Sequence, residues 1–224
     1  MTSPQPIGRL LGALMLLHLA LGLIGPYVVL VPMNAPPGGF LENAASMAGP
    51  VRLSVLTLFL GGLVPILIAT VAWPVWRERT PLLALWLLVM SGVNLALQVV
   101  ENSHWLTMLS LSQAYAATDP GGSGTFELMA LAVRAGFKWA HYGHILVLAA
   151  WLFILFCALF RGRIVPPVLA ALGMVASSVH MAGIPLPEFL GYRVAGSANY
   201  GVPLAVVVLI AGLWLLWKGI RARS

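Results

Sequence analysis

Six long apolar stretches limit this chain more than any other feature. A hydrocarbon core about 30 Å thick takes about 20 apolar residues per helical crossing. Stretches of that kind run approximately from 7 to 31, 51 to 73, 81 to 100, 138 to 160, 164 to 184 and 200 to 217. The helix of the third stretch extends by pattern to about 112, and that of the fourth begins at about 126. The expected fold is therefore all-α, a polytopic integral membrane bundle of six transmembrane helices forming one domain over 1–224. With 60% hydrophobic residues, 8% charged residues and a mean hydropathy of +0.96, the composition lies outside the soluble range.

Turn chemistry separates the stretches. Asn34-Ala35-Pro36-Pro37-Gly38-Gly39, Thr80-Pro81 and Asp119-Pro120-Gly121-Gly122 are breakers, and Pro166-Pro167 suits a helix's first turn. Pro65 falls inside the second stretch, where it removes a backbone donor. The segment Glu127–Lys138 carries charge among apolar residues and reads as an amphipathic lead-in that projects from the membrane or lies along it.

Basic residues set the orientation. With the amino terminus cytoplasmic, Arg9, Arg77, Arg79, Arg161, Arg163, Lys218, Arg221 and Arg223 face inward, against Arg52, Arg134, Lys138 and Arg193 outward. Both termini are thus expected in the cytoplasm. The formal net charge of +6 is spread singly and in pairs, with no basic stripe to follow a phosphate backbone, so a nucleic-acid partner is not expected. Cys157 is the one cysteine, which rules out a disulfide within the chain.

Polar residues inside apolar stretches need partners, because hydrocarbon supplies none. The third stretch carries Ser91, Asn94, Gln98 and Glu101 at steps of three or four, on one helix face, and one further turn adds His104. Glu101 and His104 have the Glu-x-x-His spacing of carboxylate-bridged metal sites. His141 and His144 open the fourth stretch, and Ser177 and His180 close the fifth. The topology puts Glu101, His104, His141, His144 and His180 toward the outer leaflet.

One reading is an outward-facing polar pocket between spans three, four and five, lined by Asn94, Gln98, Glu101 and Ser177 with Arg134 and Lys138 at its mouth. Such a pocket would bind or move a small lipophilic or anionic molecule. A second reading takes His104, His141, His144, His180 and Glu101 as ligands of a transition metal or haem, in an oxidoreductase or hydrolase. A third is a structural or assembly subunit whose polar groups only join helices. His104 and His141 lie near Trp105 and Trp139, as an interfacial aromatic belt would also place them. The bilayer is the partner common to all three readings, and an oligomer is compatible with each.

Several short segments resemble the bacterial six-span membrane proteins of the domain-of-unknown-function 4386 family. They are Gly25-Pro26, Ser110-Leu111-Ser112-Gln113, Ile164-Val165-Pro166-Pro167-Val168-Leu169-Ala170 with Leu172-Gly173, and Leu213-Trp214-Leu215-Leu216-Trp217-Lys218-Gly219. The likeness extends over nearly the whole chain. It implies six helices and an inner (plasma) membrane location, but no reaction. Pro167 and the His141/His144 pair depart from that family's pattern.

Overall fold

The computed structural model describes residues 4–118 and 123–220. Arg221, Arg223 and the joint Asp119-Pro120-Gly121-Gly122 lie outside the described residues. Within them the chain is helical, with no strand. Helix α1 (Pro4–Gly25) passes through a π-helical turn, Pro26–Leu30, into the single turn α2 (Val31–Met33). The turn widens there, and the Val31 N–H reaches back five residues to Pro26 O. Then follow α3 (Gly39–Asn43), α4 (Ala48–Arg79), α5 (Pro81–Ala116), α6 (Ser123–Arg161), α7 (Pro167–Gly183), α8 (Pro185–Leu190) and α9 (Val202–Lys218).

Six helical segments are long and apolar enough to cross a membrane: Gln5–Met33, Ala48–Arg79, Pro81–Ala116, Gly124–Arg161, Pro167–Leu190 and Asn199–Lys218. The protein is a multi-pass membrane protein in contact with lipid. Its helices outrun their apolar cores wherever no breaker intervenes. Helix α4 continues through Pro65 and Pro74 to Arg79, and α5 continues past Gln113 to Ala116.

The spans close into a ring. Helix α1 packs on α4 and α9, α4 on α5, α5 on α6, α6 on α7, and α7 on α9. Small residues let the α1–α9 seam close tightly. A Cβ at Gly12 would strike Gly212 O and the backbone of Leu216. The ring's interior is filled by Leu11, Met15, Ile68, Trp76, Trp151, Phe156 and Val208, all buried. At the basic end, Arg79 Nη1 donates to Gly162 O at 2.8 Å and ties the α4–α5 joint to the α6–α7 joint.

A second apolar cluster forms at the opposite end. Met33, Phe40 and Leu41 pack with Val51 and Val55 of α4, Trp105 and Met108 of α5, and Ala130 of α6. At 36 and 39 residues, α5 and α6 are both longer than the hydrocarbon is thick, since about 20 residues suffice to cross it. Their excess length forms a hairpin that this cap clasps. The first turns of α6 stay paired with α5 instead of lying along a surface: Tyr115 meets Phe126 at 5.8 Å, and Trp105 meets Phe137 at 4.3 Å between ring centroids. Ala45 N–H donates to Ser112 Oγ at 2.8 Å, fixing the α3–α4 joint to the hairpin.

Candidate functional site

The α5–α6 hairpin keeps one antiparallel register from the middle of the ring to the cap. Trp151 is level with Ser91, His141 with Glu101, and Phe137 with Trp105, so each step up α5 is matched by a step down α6. The polar face of α5 runs along this seam and the adjoining α4 surface. Ser91, Asn94, Gln98, Glu101 and Asn102 are all buried.

The lower part of the seam is a finished joint. Trp151 Nε1–H donates to Ser91 Oγ at 2.8 Å. The Ser91 hydroxyl lies 2.7 Å from Leu87 O and 3.1 Å from Pro65 O, which share its one proton. Pro65 also accounts for a contact with α1. Lacking an N–H, it leaves Gly61 O without its helical donor, and His18 Nδ1 lies 3.3 Å from that oxygen. A carbonyl only accepts, so the proton of His18 is on Nδ1. The edge of its ring meets Trp151 at 5.7 Å.

The upper part centres on Glu101. Each of its oxygens faces a different imidazole: Oε1 lies 2.7 Å from His141 Nδ1, and Oε2 lies 2.5 Å from His144 Nδ1. The spacing of three on α6 puts both rings on the face that meets α5. The His141 side chain is 38% exposed while those of His144 and Glu101 are 12% and 10% exposed, so the cluster has one exposed end and one buried end. The ring of Phe137 stacks on His141 at 5.4 Å.

Beside this cluster, Gln98 Nε2 donates to Leu58 O of α4 at 2.8 Å. That bond settles which end of the carboxamide is nitrogen and leaves Oε1 buried against Gly62 of α4 without a partner. A Cβ at Gly62 would strike this oxygen, so the glycine makes room for it. Both polar atoms of Asn94, both of Asn102 and His144 Nε2 are also buried without a protein partner. Orphan polar atoms at this density are uncommon, because each costs about 1–3 kcal/mol.

The other sequence-derived candidates are placed elsewhere. His104 lies against Gly136 of α6, and its hydrogen-bond partners do not include Glu101. Helix α7 packs on α6, α8 and α9 and has no substantial packing against α5. Ser177, on α7, is buried with its hydroxyl donating to Gly173 O at 2.8 Å. His180 rests against Gly201, both ring nitrogens buried and unpartnered. The Arg134 guanidinium covers the Phe40 ring at 5.3 Å, and Lys138 Nζ pairs with Glu188 Oε2 of α8 at 2.6 Å.

Glu101, His141 and His144 therefore come together, with Asn94 and Gln98 along the same seam, while His104, His180, Ser177, Arg134 and Lys138 lie at other places in the fold. Among the described residues, no three His, Cys, Asp or Glu side chains are arranged to hold a metal ion. The reason is visible in the cluster itself, where both Nδ1 atoms point at the carboxylate and not at a shared centre. Sequence reasoning passed over Asn102 and Trp151. The four-residue step from Gln98 to Asn102 was the available signal for the first; nothing in an apolar stretch marks the second.

No curated protein and no solved structure matches the chain. A family model does, over residues 10–219, and its description is Domain of unknown function (DUF4386). With six spans in one ring and a family match over most of its length, this chain belongs to the DUF4386 family.

Proposed function

We propose that the protein binds or moves a small lipophilic molecule, seated along α5 around Asn94, Gln98, Glu101 and His144, on the faces that α5 turns to α4 and to α6. The row of buried polar atoms without partners carries this reading. A polar group that serves only to join helices is spent in doing so, as Ser91 and Trp151 are. Atoms left over in a dry interior are those a ligand or ordered water would satisfy. The excess of basic residues at the α4–α5 and α6–α7 joints supports a cytoplasmic location for that end and for both termini. The seat then opens toward the outer face, by way of half-exposed His141. We assign the chain to the inner (plasma) membrane, as a single six-helix domain.

The test is equilibrium binding of a panel of fluorescent amphiphiles to purified wild type, Asn94→Leu and Glu101→Gln. Saturable binding to wild type that both substitutions weaken, with folding retained, supports the reading; equal binding by all three, or by none, ends it. The finished joints favour a second reading, a structural subunit whose polar groups only hold helices together. On that reading, replacing His141 and His144 lowers thermal stability and changes no binding.

A further inference from the structure

The ligand's charge follows from a count of protons in the seat, given that the seat is a binding site as proposed above. Two hydrogen bonds join three groups, and each needs one proton between its atoms. If those are the only protons, both imidazoles donate through Nδ1 to a carboxylate, both Nε2 atoms are bare, and the cluster carries one negative charge. With its Nδ1 proton donated to Glu101, His144 keeps a lone pair on Nε2, which is buried without a protein partner.

Gln98 adds a second unpaired acceptor, Oε1, because its nitrogen is committed to Leu58 O. The seam's register sets His144 close to the level of Gln98. Asn94 and Asn102 do not alter the balance, since each brings donors and an acceptor together. The surplus is of acceptors, beside a carboxylate. Of the nearby cations, Lys138 is paired with Glu188, and Arg134 lies over Phe40 at the cap.

We infer that the seat formed by Gln98, Glu101 and His144 takes a primary ammonium group carried on an apolar chain. The N–H donors of such a group would satisfy Gln98 Oε1 and His144 Nε2, and its charge would offset that of Glu101. A free alkylamine and the ethanolamine headgroup of a phospholipid share this chemistry.

The test uses full-length wild type in phosphatidylcholine nanodiscs and four probes with the same decyl tail: decylammonium, decyltrimethylammonium, decyl sulfate and decyl glucoside. Decylammonium is expected to bind saturably and at least about tenfold more tightly than each of the others, a factor worth about 1.4 kcal/mol. Tighter binding of the sulfate or the glucoside overturns the inference and leaves the binding reading intact. Equal binding of the trimethylated probe removes the hydrogen-bonded ammonium, and saturable binding of none removes both readings. Glu101→Gln should weaken decylammonium by at least about tenfold; unchanged affinity overturns the inference, and the wild-type series decides the matter should that variant fail to fold. Repeating the titration in nanodiscs containing phosphatidylethanolamine separates the sources: competition identifies the lipid headgroup, and unchanged affinity a free amine.

Discussion

The lower and upper parts of the α5–α6 seam are built from the same two helices in the same register, yet they treat polar groups in opposite ways. Around Ser91 each donor has an acceptor, down to the Pro65 carbonyl of a third helix. Around Glu101 the bonds are as short, but they sit among atoms that nothing satisfies. The difference separates a joint from a seat. Polarity within a membrane helix is common to both, and only the state of the partners distinguishes them.

The comparison can be broken most severely at the joint. Trp151→Ala removes a fully buried indole from the ring's interior and should cost about 3–5 kcal/mol, read by chemical unfolding in detergent. A loss near zero would mean that the lower seam is not a structural joint. Ser91→Ala keeps the indole but strips its acceptor, with an expected cost of about 1–3 kcal/mol in the same assay. At the cap, Arg134→Ala loses the contact over Phe40 and should cost about 0.5–1 kcal/mol, measured as a small drop in Tm. The smallest effect is expected within the seat. Asn94→Leu removes an amide that has no protein partner, so the change in stability should stay under about 1 kcal/mol and can be a gain. A loss as large as that at Ser91 would make Asn94 another joint and narrow the seat to Gln98 and His144.

Much of this was legible from the chain alone, for physical reasons. Apolar length specifies crossings, because hydrocarbon thickness sets a minimum that few other environments impose. The steps from Ser91 to Glu101 specify a helix face, and the cost of burying Glu101 directs that face inward. Periodicity is silent about which neighbour a face will meet. His180 and His144 look equivalent in the sequence, each near the same end of its span, but the ring order sets α7 beside α6 and α9 and away from α5. Pro65 shows the same limit. Its missing N–H is plain from the residue type, while the use of the freed Gly61 carbonyl by His18 depends on α1 and α4 being adjacent.

Helices α5 and α6 have no proline beyond the first residue of α5, whereas α4 has Pro65 and Pro74 in its interior. The paired rods therefore lack the commonest cause of a bend along their run from the basic loops to the cap. Without such a bend the two helices hold step over their paired length, so the spacing that seats Trp151 on Ser91 is the same one that brings both imidazoles to Glu101.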